Sequence, residues 1–109
     1  VCVTLKYITG SSRYNFIESD KDNNLVQVLP KKTISTGFVN GGVMVIKREI
    51  FDAYSGKENF GLEDYIFSED KVAKIKVYKS DGYFIDIGIP QDYKKAQNEL
   101  KQYQDYYSK

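Results

Sequence analysis

Four apolar residues in succession, Val43-Met44-Val45-Ile46, follow directly on Gly41-Gly42, and this run limits the fold more than any other stretch. A strand with one wet face alternates apolar and polar side chains, whereas an unbroken apolar run fits a strand covered on both faces. The expectation is a loop at Asn40-Gly41-Gly42 that enters a strand central to its sheet.

The elements around it are read in the same way. Residues 1–8 place Val1, Val3, Leu5 and Tyr7 on one face of a period-2 pattern, so the chain opens inside a strand, without an initiator Met, and is expected to be a piece of something longer. Two strand candidates, YNFIES and LVQVLP, flank the polar run Asp20 to Asn24 as a hairpin, with Pro30 closing the second. Arg48 to Tyr54 and Leu62 to Asp70 read as short helices. Lys74 to Tyr78 and Tyr83 to Ile87, joined at Asp81-Gly82, read as a second hairpin. Pro90 then opens a helix whose Tyr93, Ala96, Leu100, Tyr103 and Tyr107 form one stripe that needs a surface to pack against. Strands and helices in this order predict an α/β fold, a mixed sheet with flanking helices, in a single domain over residues 1–109.

Composition removes several classes of function. A chain of 109 residues can build a core without disulfides, and Cys2, the one cysteine, has no internal partner and reads as an ordinary packed or surface thiol. With 16 basic and 15 acidic residues there is no electrostatic footprint of a nucleic-acid binder. No apolar run approaches the ~20 residues that cross a bilayer, and no signal peptide is visible, so the expected location is cytoplasmic, with no membrane partner. Histidine is absent, which excludes imidazole bases, ligands and shuttles and leaves carboxylates, lysines, hydroxyls or a bound metal.

Four places could carry chemistry. At Asn40-Gly41-Gly42, two glycines would let a ligand approach the main chain while Asn40 offers donor and acceptor together, which suits a sugar hydroxyl; a Gly-rich turn whose Asn tolerates positive φ explains the same residues. Asp86 would end the apolar strand Tyr83-Phe84-Ile85 just before a helix, a position for metal or polyphosphate sites in α/β proteins, and equally one for a helix-dipole or turn partner. Glu63 and Asp64 open a helix, where the macrodipole favours acids, and Lys31-Lys32 could hold a phosphate or simply face solvent.

Taken in order, SRYNFIESD, NLVQVLPKK, TGFVNGGVMVI, FGLEDYIF and DGYFIDIGIPQDYKKAQ resemble the C-terminal half of the sugar-1-phosphate nucleotidyltransferases, over most of residues 1 to about 100. VNGGVMVI and DGYFIDIGIPQDY look most like the bacterial heptose-1-phosphate guanylyltransferase type. The resemblance implies the C-terminal part of a nucleotide-diphospho-sugar transferase (Rossmann-like) fold. It also implies a role in joining an NTP and a sugar 1-phosphate, with Mg²⁺, to give an NDP-sugar and pyrophosphate for lipopolysaccharide or capsule synthesis. Tyr14, Lys32, Asn40, Gly41 and Glu63 then stand at substrate-binding positions, Lys32 at the sugar phosphate, and Asp86 at a metal-binding aspartate. The chemistry would neutralise charge on an in-line displacement without a covalent intermediate.

The chain departs from the family's wording at Asn15, where the family has a glycine, at Lys31, where it has an acid, and at Ile89, where it has a threonine. The Gly-rich loop that grips the triphosphate and the first metal-binding aspartate lie upstream of these motifs in the family. The 109 residues are therefore expected to contain no catalytic residue of their own, to be inactive alone, and to need the N-terminal half of the same enzyme. An open sheet edge would favour self-association, as a homo-oligomer. The alternative is a non-catalytic ligand-binding or protein-interaction module that kept the fold.

Overall fold

The computed structural model describes residues 1–11, 13–30, 35–56, 58–68 and 74–104. Five strands, β1 (Cys2–Ser11), β2 (Phe16–Ser19), β3 (Leu25–Leu29), β4 (Ser35–Val45) and β5 (Lys76–Lys79), form one sheet in the order β3-β2-β4-β1-β5. Among the described residues three helices accompany it: α1 (Glu49–Asp52), α2 (Leu62–Ile66) and α3 (Pro90–Glu99), the last continuing as a 3₁₀ turn over Leu100–Tyr103. The sheet is mixed, with β1 antiparallel to β4 and parallel to β5, as expected of the α/β class. Among the described residues no helix is long and apolar enough to cross a membrane.

The first hairpin forms as its pattern requires. β2 and β3 pair antiparallel from Phe16↔Leu29, and between them Asp20 Oδ1 accepts the N–H groups of Asp22 and Asn24, both at 2.9 Å. Asn23 takes a left-handed φ of 62°, which Asn tolerates better than most side chains. The hydrogen bonds to Asn24 lead in holding the Asp20 carboxyl below its ordinary pKa. This connection also bends onto β5, where Leu25 donates to the Ile75 carbonyl and Val77 to that of Asn23, at 2.9 Å each.

Burial follows the alternation on β1, where Val3 and Leu5 are fully buried. They join Ile17, Leu25, Ile66, Ile75 and Val77 in one cluster, so α2 closes the sheet's inner face through Ile66. The pattern fails at Tyr7, which is 57% exposed and stands edge-on to Phe38.

Four expectations need correction. Asn40-Gly41-Gly42 lies inside β4 rather than in a loop before it: the β1 register passes from Val3↔Met44 to Leu5↔Asn40, so β4 carries two extra residues there as a bulge. β4 is internal in the sheet, but Val43 and Val45 are 62% and 71% exposed, so its second face is open. Residues 83–87 form no strand, and β5 pairs in parallel with β1 instead of building a hairpin with them. α2 ends at Ile66, not Asp70; residues 69–73, like Lys31, Lys32 and Tyr107, lie outside those described.

α3 begins with Pro90 at its first turn, and Ile89 provides no side-chain cap. Among the described residues of its stripe only Ala96 is buried, while Tyr93 and Leu100 are 54% and 47% exposed. What ties the helix down is polar and aromatic: Asp92 to Arg13, Glu99 to Tyr83, and Tyr103 against the Tyr83 ring at 4.9 Å.

Candidate sugar-phosphate site

One cleft of about 470 Å³ gathers Tyr14, Asn40, Gly41, Glu63 and Asp86, residues drawn from the β1–β2 connection, the β4 bulge, α2 and the segment before α3. Lys32, the remaining substrate-binding position expected from sequence, lies outside the described residues.

The bulge is what turns β4 towards the cleft. Gly42 has φ of 84°, a left-handed conformation that glycine adopts without penalty. Gly41 is small for a different reason: a Cβ there would meet the Thr4 carbonyl oxygen at 3.1 Å and Lys6 Cγ at 3.2 Å. The sheet itself, and not only a ligand, requires this glycine. Positive φ falls on Gly42 rather than on Asn40, which corrects the turn reading. The Asn40 side chain braces the bulge, since its Oδ1 accepts the Gly42 N–H at 2.9 Å and its Nδ2 donates to Glu63 Oε1 at 3.2 Å. Glu63 sits in the first turn of α2, so the dipole explanation and the cleft-lining position hold together.

Asp86 is held by three donors. Its Oδ1 accepts the Gly88 N–H at 2.9 Å, and its Oδ2 accepts the Tyr14 hydroxyl at 3.0 Å and Arg13 Nη2 at 3.2 Å. Arg13 also pairs with Asp92, and that hydrogen bond leads in raising the guanidinium's already high pKa. Burial, followed by the bond to Asp86, raises the Tyr14 pKa. The cleft wall is thus a set of amide and hydroxyl groups with the Arg13 guanidinium beside two carboxylates, and Phe67, Phe84 and Ile85 as apolar surface. Such a surface suits a hydroxyl-rich ligand with an apolar ring face.

No protein-family model matches the chain. The D-glycero-alpha-D-manno-heptose 1-phosphate guanylyltransferase of Aneurinibacillus thermoaerophilus is 38% identical over 102 residues, which are 93% of this chain and 44% of that protein. The protein of the same name from Campylobacter jejuni is 30% identical over 93 residues, 85% of this chain and 42% of its own length. The crystal structure of HddC from Yersinia pseudotuberculosis matches with a TM-score of 0.70 at 26% identity, over 91% of this chain and 43% of HddC. Over 85–93% of its length the chain is thus homologous to proteins named as sugar-1-phosphate guanylyltransferases.

The chain spans about two-fifths of the length of the relatives it matches. HddC has also been solved complexed with GMP-PN, and that structure matches with a TM-score of 0.69. Relatives that are enzymes by name do not favour reading the chain as a binding or interaction module.

Sequence reading missed Arg13. Its partners lie 73 and 79 residues away, and nothing local marks them; its place immediately before Tyr14 in the SRY motif was the available signal.

The fit of Asp86 to Mg²⁺ rests on its donor chemistry. Mg²⁺ is commonly held by one or two carboxylates together with substrate phosphates and waters. The Asp86 side chain is 38% exposed at the cleft and can serve as one such ligand, and no group of three or more acidic or thiol ligands exists among the described residues. Among the described residues, Asp86 could therefore supply such an ion with one protein ligand.

Proposed function

We propose that this chain forms the sugar-1-phosphate wall of a nucleotidyltransferase that joins an NTP and a sugar 1-phosphate into an NDP-sugar and pyrophosphate. The observation that carries the reading is the convergence of Tyr14, Asn40, Gly41, Glu63 and Asp86 on one cleft from four separate segments.

In this reading Asn40 and Glu63, bonded to each other across the cleft, exchange that bond for hydroxyl groups of the sugar, the amide donating and the carboxylate accepting. The Tyr14 hydroxyl and the main chain at Gly41 define the floor on which the ring lies. Lys32 meets the sugar phosphate as a point charge, and Asp86 holds Mg²⁺. When bound, that ion neutralises charge on the transferring phosphoryl group. The sugar phosphate is positioned for in-line attack, and no residue of this chain forms a covalent bond.

The nucleotide would be gripped by an N-terminal half of the same enzyme, so the 109 residues alone release no pyrophosphate. We place the reaction in the cytoplasm, supplying lipopolysaccharide or capsule synthesis, with no nucleic-acid or membrane partner.

Calorimetry of the chain with mannose 1-phosphate and Mg²⁺ tests the wall directly. Binding should be saturable and should weaken about tenfold in Glu63→Gln, the loss expected when a charged hydrogen-bond acceptor is removed. Equal affinity in the variant, or no heat at millimolar ligand, contradicts the reading.

A further inference from the structure

Arg13 is a cation lining the cleft, and it is shared between two carboxylates: Nη2 lies 3.2 Å from Asp86 Oδ2, and Nη1 bonds Asp92 in the first turn of α3. We propose that Arg13 is a latch on Asp86, a positioning residue that holds this carboxylate against α3 and must release Oδ2 when a divalent cation takes it. The inference rests on Asp86 being a cation ligand.

The physical argument is one of exclusion. Oδ2 already accepts from Tyr14 and from Arg13, and Oδ1 accepts from Gly88. A hydroxyl or an amide N–H can remain beside a metal-bound carboxylate, because each is neutral and leaves the accepting oxygen a second lone pair for the metal. A guanidinium cannot remain as close to a divalent cation without like-charge repulsion. Asp92 makes the release inexpensive. Its side chain is only 24% exposed and already holds Nη1, so the guanidinium that leaves Asp86 keeps a paired partner instead of becoming an uncompensated charge. Arg13 further stacks over the Tyr14 ring at 5.3 Å, a second contact that survives the exchange. Because Asp92 belongs to α3 and Asp86 to the segment before it, cation binding is coupled to how tightly α3 is held at the cleft.

The two ion pairs make opposite predictions, which a general loss of structure would not. Mn²⁺ titrated into the 109-residue chain, with free Mn²⁺ followed by its electron paramagnetic resonance signal, gives the affinity without any turnover. Arg13→Gln should bind Mn²⁺ about 3- to 10-fold more tightly than the parent chain, and Arg13→Lys, which keeps the charge, should stay close to the parent. Asp92→Asn leaves Asp86 as the one carboxylate partner of Arg13 among the described residues and should bind about 2- to 5-fold more weakly. Should Arg13→Gln fail to fold, Arg13→Lys and Asp92→Asn still decide the matter.

Weaker binding in Arg13→Gln, or tighter binding in Asp92→Asn, overturns the latch. Asp86→Asn separates this outcome from failure of the underlying assignment. If Asp86→Asn abolishes binding while the Arg13 and Asp92 variants match the parent, only the latch fails; if Asp86→Asn binds as well as the parent, or the parent binds no Mn²⁺, Asp86 is not a cation ligand.

Discussion

Asn40 Nδ2 lies 3.2 Å from Glu63 Oε1, a bond between the bulge of β4 and the first turn of α2 that sets the width of the cleft between two elements 23 residues apart. Asn40→Ala removes both this bond and the brace to the Gly42 N–H. It should lower stability by about 1–2 kcal/mol, and a thermal melt should show it. Asn40→Asp, which keeps the acceptor for Gly42 but faces Glu63 with a like charge, should fall between wild type and Asn40→Ala in the melt and bind sugar phosphate worst of the three.

The bulge glycines should fail in different ways. Gly41→Ala pushes a methyl group against the Thr4 carbonyl, a backbone atom that cannot swing aside, and should cost about 1–3 kcal/mol. Gly42→Ala meets no atom within 4 Å and costs only its left-handed backbone, about 1–2 kcal/mol. Asn, which tolerates that conformation, should recover much of the loss at position 42 but none at position 41. Chemical denaturation of the four variants checks this pattern.

Much of this was readable from local pattern. The β2–β3 hairpin, the start of α3 at Pro90 and the packing of Val3 and Leu5 follow from turn chemistry and periodicity that involve near neighbours. The cleft residues could be named because short motifs kept their order. What stayed hidden depends on distant partners. The parallel pairing of β5 with β1 joins residues more than 70 positions apart, Cys2↔Lys76 among them, and Lys6 helps fix it by donating to the Ser80 and Gly82 carbonyls. That anchoring draws the 80–82 turn onto β1 and leaves Tyr83 to Ile87 without a strand partner. The apolar run at Val43 to Ile46 predicted two covered faces, yet its own residues cannot specify what covers the second one.

Core and open-face residues of the same type should therefore behave differently. Leu5→Ala, at a fully buried position, should cost about 2–5 kcal/mol, whereas Val45→Thr, at 71% exposure, should stay within about 0.5 kcal/mol of the parent. Differential scanning calorimetry of the pair distinguishes a β4 open on that face from one covered within this chain: a large loss at Val45 would count against the open face.

Tyr83 donates to Glu99, and this hydrogen bond is the first cause of a phenol pKa pushed up to about 12. A raised folded-state value means that the neutral phenol supports the fold. The contribution is complete below the ordinary tyrosine pKa of about 10 and disappears as pH rises through about 12. Ultraviolet titration should show Tyr83 among the tyrosines that ionise late, and Glu99→Gln should return it towards the ordinary range, loosening the 3₁₀ turn where Tyr103 packs on the same ring.

The most direct test follows backbone amide shifts of the ¹⁵N-labelled chain as mannose 1-phosphate is added with Mg²⁺. The account predicts that Tyr14, Asn40, Gly41, Glu63 and Asp86 move together along one saturation curve, while Val26 and Gln102 stay still. Shifts confined to other surfaces, or none at saturating ligand, would contradict it.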